Sequence, residues 1–200
     1  MNADYYFTID LPGSAEYKDR GSKFLGYAFP VNDVLGFKER IGEIKKEHPK
    51  ATHHCFAYRI GMDGNNFRVN DDGEPSGSAG KPILGQIDSK GLTNVCIIVV
   101  RYFGGTQLGI PGLINAYKTT ASLALQVTPL VQRAILLPYS IQFDYTQMNE
   151  VMRIMKQFDC QIIKQENQLF CLTEIGVPRQ WEKDIVYKLE QLRGVEWKKL

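Results

Sequence analysis

The run Val95–Phe103, VCIIVVRYF, sets six consecutive apolar residues ahead of a charged Arg101. Side chains along a strand alternate between faces, so an apolar residue at every position requires cover on both sides of a sheet. β-branched and aromatic residues dominate the run and favour a strand. It therefore predicts a central strand buried on both faces. The apolar part, Val95–Val100, is the longest in the chain and far short of a membrane span. The next segment, GGTQLGIPG, suits no regular element. After it, Leu113, Ala116, Tyr117, Thr120, Ala121 and Ala124 recur at helical spacing and mark the inner stripe of a helix.

Other elements arrange themselves around this strand. Lys23–Val31 and Thr52–Ile60 read as strands, with a shorter one around Phe67–Asn70. Val34, Phe37, Ile41 and Ile44 line a helix with Asn32 or Asp33 as its N-cap. Lys81–Ser89 reads as a helix ending near Gly91. From Ala134 the order is strand 135–145, helix 147–158, strands 160–166 and 168–176, helix 178–191, strand 193–198. That βαββαβ order is the ferredoxin-like split βαβ pattern. A domain boundary falls near residue 133, giving domains 1–133 and 134–200. The fold class is α+β.

Charge narrows the function classes. The formal net charge is +2 over 200 residues, so bulk charge does not announce nucleic acid, and RNA binding would need a local patch. The N-terminus lacks a basic segment followed by an apolar stretch, and a cytoplasmic location without membrane attachment is the expectation. Cys55, Cys96, Cys160 and Cys171 form no CxxC pair and read as buried thiols.

Spacing tests the common enzyme motifs. Gly104 and Gly109 have the gap of a phosphate loop, but Ile110 and Pro111 stand where Lys and Ser/Thr are needed. His53 and Cys55 share a strand face, yet two ligands are too few for structural zinc, so no metal and no cofactor are expected. Cys96 sits among apolar residues that disfavour a thiolate, and Cys55 has no evident partner base. DDGEPSGSAGKPI, Asp71–Ile83, crowds Asp71, Asp72 and Glu74 with Gly73, Gly77 and Gly80. It reads either as consecutive turns or as an acidic pair for metal or proton chemistry. RYFGGTQLGIPG reads either as a strand-to-helix turn with Arg101 in a structural ion pair, or as an anion nest of Arg101 and the amides of Gly104 and Gly105.

Taken together, DDGEPSGSAGKPIL, NVCIIVVRYFGGTQLG, GLINAY and the upstream ATHHCFAY resemble the signature of the IMPACT family, in its bacterial YigZ-like branch. The resemblance covers about residues 17–130. It implies a ribosomal protein S5 domain 2-like N-terminal domain, a sheet with helices packed on one side. It also implies a C-terminal domain similar to domain V of elongation factor G, whose domain IV shares the S5-like fold. Eukaryotic relatives are linked to translational control; no catalytic mechanism comes with the family. The signature loop carries His53, Asp71, Asp72, Gly73, Glu74, Pro75, Gly77 and Gly80. Where the family usually has GGTKLG and GGL-x-RAY, this chain has Gln107 for Lys, Pro111 for Gly and Asn115 for Arg. Two cations are thereby lost, and Ser78 replaces a usual Thr. Arg101, Lys81, Lys23, Arg59 and Arg68 remain.

Two functions follow, with a third beside them. One is a non-enzymatic RNA- or ribosome-binding regulator of translation, with Arg101, Gly104, Gly105, Lys81 and Lys23 holding phosphate and Tyr102 or Phe103 stacking on bases. Another is an enzyme on a small phosphorylated or peptide substrate, with Asp71, Asp72 and Glu74 at its centre. The third is a protein-interaction module whose loops are purely architectural; the partners considered are RNA, the ribosome or a protein of translational control. In each case the two loops of the signature are expected to meet, with Asp72 or Glu74 within reach of Arg101.

Overall fold

The computed structural model describes residues 4–167 and 170–200. They group into two compact units: residues 6–132, and residues 133–200 with the N-terminal stretch through Tyr5.

In the first unit β6 (Val95–Tyr102) is the centre of a five-stranded antiparallel sheet. β3 (Ser22–Pro30) and β4 (His53–Ile60) flank it. β2 (Gly13–Asp19) and β5 (Asn66–Asn70) form the edges, in the order β2-β3-β6-β4-β5. Alternation along β6 divides the core. Val95, Ile97 and Val99 pack with α2 (Gly80–Ser89) and α3 (Gly109–Gln126). Cys96, Ile98 and Val100 pack on the opposite face with Phe37 and Ile44 of α1 (Val34–Glu47). All six are fully buried, each large aliphatic side chain contributing about 1.5–3 kcal/mol.

Helices therefore cover both faces of the sheet, which corrects the expectation of helices on one side. The doubly apolar β6 demands it: a bare face would expose Cys96, Ile98 and Val100. The Asp33 carboxylate caps α1, accepting from the Gly36 amide at 2.8 Å. On α3 the expected stripe, Leu113 to Ala124, is buried. The helix starts at Gly109 rather than near Gly112, so Pro111 lies in its first turn, where a missing N–H costs nothing. The sequence marks its first strand at Lys23, yet β1 (Tyr5–Ile9), which pairs with β7 (Leu130–Ala134), and β2 both precede it. β2, GSAEYKD, is a polar edge strand whose only strong signal is alternating burial.

The second unit carries a four-stranded antiparallel sheet in the order β11-β8-β10-β9. Its strands are β8 (Leu136–Phe143), β9 (Gln161–Asn167), β10 (Cys171–Pro178) and β11 (Val195–Lys199). With α4 (Met148–Gln157) and α5 (Glu182–Glu190) the element order is the ferredoxin-like one. Tyr139, Ile141, Phe143, Val151, Ile154, Ile175 and Leu189 form its core. The expected strand start at residue 168 lies outside the described residues. Among the described residues, no helix is long and apolar enough to cross a membrane.

Candidate functional site

The acidic loop is built before it can act on anything. Asp71 follows β5 directly and turns its carboxylate onto three backbone amides: Gly77 at 2.8 Å, Ala79 at 3.0 Å and Gly80 at 2.8 Å. These include the orphan donors at the start of α2, whose N-cap, Ala79, has no side-chain acceptor of its own. Burial alone would raise the Asp71 carboxyl, but those three amides, with Lys81 nearby, hold it below its usual range. Asp72 and Gly73 both have positive φ, 43° and 88°, conformations Asp tolerates and Gly favours. The turn they make lets the Asp72 carboxylate accept from the His54 amide at 2.6 Å, and brings the Asp72 carbonyl 2.7 Å from His53 Nδ1.

Glu74 is then delivered into the interior. Its side chain is 4% exposed and lies against Arg101, itself 5% exposed, with Oε1 2.7 Å from Nη1. The same Oε1 accepts from the Tyr117 hydroxyl at 2.7 Å. His53 Nε2 lies 3.7 Å away. The Cys55 thiol sits between the Asp71 carbonyl at 3.0 Å and the Tyr117 oxygen at 3.3 Å. Burial pushes this thiol far above its usual range, with Glu74 adding to the shift and the bond to Tyr117 opposing it, so it is a packed thiol rather than a nucleophile. Burial likewise pushes the Cys96 thiol up to about 12. Among the described residues, no group of three His, Cys, Asp or Glu side chains gathers as a metal site.

The two loops of the sequence signature meet, and Glu74 rather than Asp72 reaches Arg101. Several proposed phosphate contacts are occupied by this framework. The Arg101 charge is paired with Glu74, and its Nη2 donates to Ser22 Oγ at 3.3 Å. The Gly104 amide donates to the same Ser22 Oγ at 3.2 Å. A Cβ on Gly104 would lie 1.9 Å from the Gly21 carbonyl carbon, so only glycine lets the turn pass there. Lys23 pairs with Glu16 at 2.8 Å. Tyr102 alternates to the α1 face, where its hydroxyl lies 3.0 Å from His48 Nδ1, and it cannot stack beside Phe103. Gly105, with φ of 84°, and Lys81 on α2 remain exposed.

Phe103 is half exposed, and its ring centroid is 5.4 Å from the Arg101 guanidinium carbon. It borders a cavity of about 320 Å³ shared with Glu74, Pro75, Arg101, Gln107 and Leu108 and with the first turn of α3. The N-cap of α3, Leu108, offers no side-chain acceptor.

Three participants escaped the sequence reading as site residues. Ser22 gave no signal, because its role depends on an approach between residues far apart in the chain. The exposed Arg20 sits in the β2–β3 turn that abuts Gly104. Tyr117 was legible as core only, although a hydroxyl on an otherwise apolar stripe needs a buried partner and was the available clue.

Residues 20–125 match the Impact N-terminal domain family. IMPACT family member YvyE of Bacillus subtilis is 38% identical over 146 residues, covering 73% of this chain and 67% of that one. IMPACT family member YigZ of Escherichia coli is 34% identical over 159 residues, 78% of each chain. A crystal structure described as that of a hypothetical protein matches 99% of this chain and 98% of its own, with a TM-score of 0.79 and 29% identity.

Proposed function

The chain belongs to the IMPACT family, in its YigZ-like bacterial branch, and from that membership we propose that it is a non-enzymatic, RNA- or ribosome-associated protein of the cytoplasm, acting in the regulation of translation. One observation carries the non-enzymatic part. Each carboxylate of the acidic loop already has a structural partner: Asp71 three backbone amides, Asp72 the His54 amide, Glu74 the Arg101 and Tyr117 side chains. A catalytic acid or base works with an activated nucleophile, and burial pushes the Cys55 thiol, the nucleophile candidate of this cluster, far above its usual range. These side chains instead hold one loop against another and present the turn 103–109 to solvent.

RNA association rests on the rim of that turn. Phe103 and Gly105 are exposed, α3 begins without a side-chain cap, and the exposed Arg20 lies in the adjoining turn. Arg101 keeps the turn in shape and is not itself the phosphate contact. The reading is tested by co-sedimentation with ribosomes from growing and starved cells, and by RNA binding at several salt concentrations. Gln107→Lys, which restores the cation usual in the family, is expected to tighten RNA binding and steepen the salt slope by about 0.7–0.9. Arg20→Ala is expected to do the opposite. Salt slopes that neither substitution moves would place the RNA contact elsewhere, and failure to bind RNA or ribosomes at all would end the reading.

A further inference from the structure

We infer that the cavity beside the Glu74–Arg101 pair is a nucleobase subsite that takes guanine. The inference rests on the RNA reading above and gives it a base-specific contact.

Size limits the occupant first. At about 320 Å³ the cavity stands at the small end of ligand pockets, suited to a single ring system. Its chemistry is divided. Phe103, Pro75 and Leu108 supply flat apolar cover, and Glu74, Arg101 and Gln107 supply polar atoms in the same wall. A planar ring with a hydrogen-bonding edge matches that division; an aliphatic ligand leaves the polar wall unpaired. Phe103 is already arranged for stacking, half exposed and over a guanidinium.

The polar wall then selects the base. A carboxylate only accepts hydrogen bonds and an arginine only donates. Both bonds to Glu74 fall on Oε1, so a ligand's donors go to its other oxygen. Arg101 is 95% buried and its Nε–H is shielded from solvent, so the carboxylate rather than the guanidinium sets what the wall takes. The occupant must therefore present adjacent donors. Guanine does so, with N1–H and the N2 amino group side by side. Adenine and cytosine place an acceptor where guanine has N1–H, and uracil has a single donor. The uncapped start of α3 lies on the same cavity and suits an attached phosphate.

The experiment uses the full chain and uridine nonamers carrying one central guanine, adenine or cytosine, followed by fluorescence anisotropy, with guanosine and adenosine monophosphates titrated calorimetrically. The guanine nonamer is expected to bind at least tenfold more tightly than the others. Phe103→Ala, at a half-exposed position and expected to keep the circular-dichroism spectrum of the unsubstituted chain, is expected to remove most of that preference. Glu74→Gln is expected to abolish it. Nonamers that bind without base preference, or a preference that survives Phe103→Ala, would overturn the guanine subsite and leave the RNA reading standing. Guanosine monophosphate bound without any nonamer or ribosome would keep the subsite, assign it to a free nucleotide and overturn the RNA reading. If neither nucleotides nor nonamers bind, the subsite is wrong.

Discussion

Glu74 and Arg101 form a buried pair whose value lies in what breaks when one partner leaves. Removing two charges from water costs free energy that their attraction only partly returns, so the pair is no large net source of stability. Deleting one member strands the other. Arg101→Ala is expected to destabilise the first unit by about 3–5 kcal/mol, read by chemical denaturation. Tyr117→Phe, which removes a donor to the same oxygen, should cost less, about 1.5–3 kcal/mol. Acid should act on the same loop. Asp71 has a folded-state carboxyl pKa below its ordinary 3.8, so its contribution is complete above that value and is lost as pH falls through the lower folded one. His54 is also depressed, mainly by burial, from an ordinary 6.5. Its neutral ring donates to the His48 carbonyl at 3.1 Å, and its contribution declines as pH falls below 6.5. Denaturation across pH 3–7 should show both declines, and Asp71→Asn should diminish the more acidic one while leaving the other.

At the scale of elements, close approach and capping decide where the loops stand. Gly104 passes against the Gly21–Ser22 turn with no room for a Cβ. Gly104→Ala is expected to push the two turns apart and destabilise by about 1–3 kcal/mol, with the Ser22 and Gly104 amide resonances shifting most. Asp33→Ala, which removes the α1 cap, should cost about 1 kcal/mol and leave the cavity unchanged. Helices and central strands were legible in advance because their signal is local. The stripe on α3 and the continuous apolar run of β6 each declare a buried face through periodicity alone. β2 was not legible, since a polar edge strand owes its conformation to its ladder with β3 rather than to its own residues. The start of α2 was obscured for a related reason. Its cap is Asp71, eight residues before Ala79, and a local pattern looks for an acceptor much closer.

At the scale of the whole molecule, each unit has its own core: among the described residues, nineteen fully or nearly fully buried ones around one face of the five-stranded sheet, and Tyr139 to Leu189 in the ferredoxin-like unit. A chain ended at Gln132 should therefore keep the Glu74–Arg101 loop framework, with the amide spectrum of residues 20–125 little changed. Sequence alone determined the α+β class, the central strand, the ferredoxin-like order and the family, because all four are written in periodicity, composition and motif. It also brought the two signature loops together as an expectation. Only the tertiary structure decided what that meeting does. Whether Arg101 holds a phosphate or a carboxylate depends on which charge lies within a few ångströms of it once the chain has folded. Glu74, 27 residues earlier in the chain, occupies that place. The burial that makes the pair costly to break also withdraws Arg101 from solvent, and leaves Phe103 half exposed beside it.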